Sequence, residues 1–140
     1  MIVLDTNVVS EPLKLQPDEA VLRWFNRQEP QTLFISAVTL AELLDGVGRL
    51  PKGRRRDMLD TSLRQRVLPL FAGRILAFDE PSAEAFARIR ESTRSAGTTI
   101  GLADATIAAT AMASGFAVAS RDTAPFLAAG LELVDPWSEV

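Results

Sequence analysis

The chain has 140 residues, 47% of them hydrophobic and 24% charged, with a net charge of −3. That balance is globular, and the length allows one domain over residues 1–140 with a buried core. It contains no cysteine and no histidine, which excludes disulfides, zinc–thiolate sites, cysteine nucleophiles and imidazole bases. Hydrolytic chemistry would fall to carboxylates, hydroxyls, Lys, Arg and a hard cation, and oxygen-only ligation favours magnesium or manganese over zinc.

Met1-Ile2-Val3-Leu4 runs straight into Asp5-Thr6-Asn7. An apolar run ended by polar residues predicts a strand buried on both faces, with Asp5 where open α/β sheets place ligands. The run is too short, and lacks the basic flank, for a secretory signal. No stretch approaches the ~20 apolar residues of a membrane span, so a cytoplasmic protein without membrane attachment is expected. Val8 to Lys14 reads as a short helix or turn cut by Pro12. Pro17-Asp18-Glu19 opens a helix to about Arg27, with Val21, Leu22, Trp24 and Phe25 as its apolar stripe.

Leu33-Phe34-Ile35 predicts a second strand, and Ser36 caps a helix from Ala37 to about Val47. Leu40, Leu43, Leu44 and Val47 share one face of it, which leaves Glu42 on the opposite, solvent-directed face. After Pro51-Lys52-Gly53, residues Arg54 to Phe71 read as one helix with Met58, Leu59, Leu63, Val67 and Leu68 apolar. Ile75 to Phe78 is the third strand, and Asp79-Glu80-Pro81-Ser82 starts a helix to about Ser95. The helix Ala103–Ser114 carries no charge after Asp104, which predicts burial on every side. Phe116 to Ala119 is the fourth strand. A short helix over Pro125 to Ala129 and a fifth strand over Leu131 to Val134 follow. Strands alternating with helices predict an α/β sandwich with a largely parallel sheet.

Four acids stand out by context: Asp5 and Asp122 just past strands one and four, Asp104 at the mouth of a buried helix, and Glu42. Asp5 and Asp122 belong on the same edge of a parallel sheet. Each acid also has an ordinary use: Asp104 as a helix cap, Asp5 and Asp122 as turn residues, Glu42 as a solvated helix residue. Gathered together they would repel one another, and a divalent cation relieves that repulsion.

The order Val3-Leu4-Asp5-Thr6-Asn7, Leu40-Ala41-Glu42-Leu43, Leu102-Ala103-Asp104-Ala105-Thr106-Ile107-Ala108 and Ala119-Ser120-Arg121-Asp122-Thr123 resembles the PIN-domain family. More narrowly it resembles VapC-type toxin ribonucleases of toxin–antitoxin modules, in their FitB-like branch. The resemblance implies a PIN-like three-layer sandwich, with a central, mostly parallel sheet of four to five strands flanked by helices. It implies a magnesium-dependent endoribonuclease toxin (manganese being possible) of a type II system, cleaving an RNA substrate. A cognate antitoxin would neutralise it, and the chain would pair as a homodimer. Asp5 and Asp104 are then the principal metal ligands, Glu42 and Asp122 complete the catalytic quartet, and Thr6 orients a carboxylate. Asn7 and Arg121 support the site, with Arg121 as a phosphate ligand. The departure is Ser-Arg-Asp at 120–122, where the family often carries Thr-Arg-Asn.

A mild net negative charge means that RNA would need a local basic surface, for which Arg54, Arg55 and Arg56 are the candidates; a solvated helix face is the simpler explanation of them. Two other readings remain. One is a catalytically silent module that only binds an antitoxin in a DNA-bound complex. The other is a phospho-acceptor signalling domain, which wants adjacent acids and a nearby lysine; here residue 7 is Asn and no lysine follows Gly53.

Overall fold

Five short strands lie side by side in the order β3-β2-β1-β4-β5, every neighbouring pair parallel. They are β1 (Ile2–Leu4), β2 (Leu33–Ser36), β3 (Ile75–Leu76), β4 (Ala117–Ala119) and β5 (Leu133–Val134). The computed structural model describes residues 1–138. The helices are α1 (Thr6–Ser10), α2 (Glu19–Arg27), α3 (Ala37–Gly48), α4 (Arg54–Ser62), α5 (Glu80–Ser95), α6 (Leu102–Ser114) and α7 (Thr123–Ala128). They cover both sheet faces, so this is the α/β sandwich the alternating pattern predicts.

β1 is the centre because both its faces are apolar. Val3 packs with Ala85, Ile89, Ile107, Val118 and Phe126 on one side, and Leu4 packs with Val8, Trp24, Ile35, Leu43 and Leu63 on the other. Successive strand residues point to opposite faces, so two adjacent residues serve two separate cores. Trp24 is buried and meets Phe25 edge-on at 5.2 Å, as expected of core residues of α2. α1 is tied to α2 through Glu11, which accepts a hydrogen bond from the Asp18 N–H at 2.9 Å and an ion pair from Lys14 at 2.7 Å. Among the described residues no helix is long and apolar enough to cross a membrane.

The structure departs from the pattern in several places. Residues 54–71 are not one α-helix. α4 ends at Ser62, Leu63–Val67 widens into a π turn and Leu68–Phe71 tightens into a 3-10 turn. Pro69 lacks an N–H and its ring crowds the carbonyl one turn back, so regular α-helical bonding fails upstream of it. Met58, expected in the core, is 63% exposed. β3 stops at Leu76, because it is an edge strand whose only partner, β2, ends at Ser36; Phe78 leaves the sheet and packs edge-on against Phe86. β4 starts at Ala117 rather than Phe116, β5 begins two residues late, and α7 starts at Thr123 rather than Pro125. α6 is buried over Ala105 and Ile107–Ala111, but Leu102, Ala113 and Ser114 reach the surface at its ends.

Candidate active site

β1 and β4 are adjacent at the point where the strand order reverses direction, which is where parallel sheets open a crevice beyond their carboxyl ends. Asp5 follows β1 and Ser120 follows β4, and a hydrogen bond closes the gap: Ser120 Oγ donates to Asp5 Oδ2 at 2.7 Å. The other oxygen, Oδ1, accepts from the Thr6 N–H at 2.8 Å and caps α1. Asp5 is only 5% exposed, so both carboxylate oxygens are oriented by the fold. Ser120 Oγ also accepts from the Asp122 N–H at 3.1 Å, so one hydroxyl positions Asp5 and the backbone of Asp122 together.

Glu42 reaches the same place from α3. Ser36 caps that helix through the Thr39 N–H at 3.0 Å, which sets its rotation. Thr6 Oγ1 then donates to Glu42 Oε1 at 2.6 Å, and Thr39 Oγ1 lies 3.5 Å from Thr6 Oγ1. The face that periodicity left in water is therefore one wall of a crevice. Asp104 sits in the first turn of α6 but is not its cap, a position held by Gly101.

These residues line one cavity of about 370 Å³: Asp5, Thr6, Asn7, Ser10, Glu42, Asp104 and Asp122. Burial raises the pKa of Asp5, the Ser120 and Thr6 hydrogen bonds oppose the rise, and the charges of Glu42 and Asp122 add to it. Asp104 is pushed up from 3.8 to about 6, by burial first and then by the charges of Asp5, Asp122 and Glu42. Four carboxylates thus feel one another, and among the described residues no Lys or Arg forms an ion pair with any of them.

The donor set suits a hard cation. Every polar group lining the cavity offers oxygen, and Asp104 and Asp122 accept no side-chain hydrogen bond among the described residues. Asn7 Oδ1 at the cavity wall is buried without a partner. Among the described residues no three carboxylates converge closely enough to enclose an ion by themselves. A cation held here would complete its coordination with water.

The basic candidates disperse. Arg55 lines a neighbouring cavity that shares Thr6, Ser10 and Glu42 with the acidic one. Arg54 lines a depression beside Asp57 and Arg66, and Arg56 donates to the Leu50 carbonyl at 3.4 Å on another surface. Arg121 is exposed, lies over the Trp137 ring at 5.3 Å and does not line the acidic cavity, although it adjoins Asp122 in sequence. Sequence reasoning read Ser36 as a helix cap only and passed over the hydroxyls Ser10, Thr39 and Ser120. Only Ser120 had a readable signal: a small polar residue directly after a buried strand and two before an acid.

Comparison with known proteins points the same way. The PIN domain family pattern matches residues 2–130. The chain is 50% identical over 137 residues to VapC ribonuclease Y4jK of Sinorhizobium fredii, covering 98% of each chain. It is 47% identical to Toxin FitB of Neisseria gonorrhoeae, covering 99% of this chain and all of that one. The crystal structure of FitAcB from the same organism superposes with a TM-score of 0.96 at 47% identity, covering 99% of this chain and 100% of that chain.

Proposed function

This chain belongs to the PIN-domain family, and from that premise we propose that it is a magnesium-dependent endoribonuclease, the toxin of a type II toxin–antitoxin pair. One observation carries the reading: four carboxylates from four separate segments line a single cavity at the carboxyl edge of β1 and β4. The likeness to a protein named VapC ribonuclease supports RNA as the substrate, and the likeness to Toxin FitB supports an antitoxin partner. The chain works as a homodimer in the cytoplasm.

Asp5 and Asp104 would hold magnesium or manganese, which supplies a Lewis acid for the phosphoryl oxygen and lowers the proton affinity of a bound water. The chain's own residues do the rest. Ser120 and the Thr6 N–H fix both oxygens of Asp5, so its geometry is set before any ligand arrives. Thr6 holds Glu42 on the opposite wall. Hydrolysis joins a water oxygen to phosphorus, breaks the bond to the leaving nucleoside oxygen and releases one proton from the water. Glu42 or Asp122 takes that proton, since the chain has no imidazole. Asp122 has both oxygens available for the task, whereas one oxygen of Glu42 is engaged by Thr6.

The test is cleavage of single-stranded RNA by purified protein with magnesium, with and without EDTA, beside the Asp5→Ala variant. New RNA ends that need both the metal and Asp5 are the expected result. Identical ends from the variant, or from the EDTA sample, would remove the nuclease assignment.

A further inference from the structure

A second cavity opens beside the acidic one, also of about 370 Å³, and the two meet along Thr6, Ser10 and Glu42. Its remaining wall is mostly aliphatic: Leu13, Leu43, Val47, Leu50, Leu59 and Leu63. Two cations stand in it. Lys14 is already engaged by Glu11 at 2.7 Å, whereas Arg55 has no hydrogen bond or ion pair among the described residues. Arg55 also lies in the first turn of α4, where a positive charge is disfavoured by the helix dipole. A cation held in an unfavourable position, without a carboxylate partner, is suited to an anion that arrives from outside.

We propose that this cavity is a nucleotide subsite for the RNA residue next to the scissile phosphate, with Arg55 as the residue that positions the flanking phosphate. The proposal rests on the ribonuclease reading and deepens it. The shape of the chemistry favours a nucleotide over a peptide. An apolar wall receives the flat face of a base, an unpaired guanidinium receives a phosphate oxygen, and the shared Glu42 edge joins both to the reacting phosphorus. Of the three clustered arginines, only Arg55 adjoins the reaction site.

Two variants separate the halves of the subsite. Arg55→Gln removes the charge at an exposed position. Gly46→Leu fills the apolar half: Gly46 lines the cavity, and a Cβ built there meets nothing within 4 Å. Leucine is also the better helix former, so the fold is kept. The probe is a fluorescein-labelled pool of random single-stranded RNA, read by anisotropy with calcium in place of magnesium and by cleavage with magnesium. Arg88→Gln, on an exposed part of α5, controls for simple loss of charge.

Arg55→Gln is expected to weaken RNA binding roughly tenfold and to flatten its salt dependence by about one counterion. Gly46→Leu is expected to raise KM by a similar factor with the salt slope unchanged. Arg88→Gln should do neither. If the parent protein cuts RNA in a metal- and Asp5-dependent way while both variants bind RNA as it does, the subsite is wrong and the cavity serves another occupant, such as a partner peptide. If the parent protein does not cut at all, the nuclease reading fails first and the subsite falls with it.

Discussion

The Thr6 hydroxyl donates to Glu42 Oε1 at 2.6 Å across 36 positions of sequence, joining the end of β1 to the middle of α3. The same residue's N–H donates to Asp5 Oδ1 at 2.8 Å, so Thr6 holds two acids on two walls of one cavity. Thr6→Val keeps the shape and removes the hydroxyl. Loss of a hydrogen bond to a charged group costs about 1.5–3 kcal/mol, or between ten- and a hundredfold in rate if it acts in the transition state. RNA cleavage should fall by that factor, and Thr6→Ser should restore most of it. Full activity in Thr6→Val would mean that the position of Glu42 does not matter.

Ser120→Ala tests the link between the two strands. The hydroxyl donates to Asp5 at 2.7 Å and accepts from the Asp122 N–H at 3.1 Å. Removing an outer hydrogen-bond partner of a metal ligand typically costs between ten- and a hundredfold in metal affinity. Titration calorimetry with manganese should show weakening in that range. Unchanged affinity would show that Asp5 needs no help from β4.

Asp104 makes the metal-free protein sensitive to pH. Its carboxyl is raised from 3.8 to about 6, by burial and by its three acidic neighbours. A raised folded-state pKa means that the folded chain binds the proton more tightly than the unfolded one. This contribution to stability is complete below 3.8 and is lost as pH rises through about 6. Asp5 is shifted the same way, whereas Glu11, which burial pushes up but Lys14 and the Asp18 N–H pull down further, has the opposite sign. Asp104→Asn isolates the effect. In EDTA its melting temperature should exceed the parent's by a margin that grows from about pH 5 to about pH 7.5. Parallel curves would place Asp104 away from its acidic neighbours.

The middle of α6 has no room for a larger side chain. Ala109 is fully buried in the core that also holds Ile107 and Phe126. Ala109→Leu should overpack it and cost about 1–3 kcal/mol, seen as a lower urea midpoint at unchanged slope. A neutral outcome would mean that the helix has space around it.

Much of this protein is written locally. Ile2-Val3-Leu4 ending in Asp5, Ser36 before an apolar helix and the uncharged run after Asp104 each announce their element without help from the rest of the chain. Burial periodicity and capping act over a few residues, so a sequence carries them openly. The oxygen-only character of any metal site also follows from composition alone, since no cysteine or histidine is present. The end of α4 was harder to read. Pro69 stands in the sequence, but the widened turn begins six residues before it, at the buried Leu63.

Tertiary structure decided which of these residues meet. Glu42 is exposed by every local criterion, and only the parallel placement of β2 beside β1, with the rotation set by Ser36, turns it toward Thr6 and the acids. Ser120 gained its role because β4 lies directly against β1, and the Arg121 side chain lies over Trp137 instead of lining the acidic cavity. The three adjacent arginines parted onto three surfaces because neighbours on a helix point about 100° apart. Hydrophobic pattern sets what is buried and what is not; where two distant side chains share a cavity depends on strand order and helix rotation, which arise only once the whole sheet has assembled.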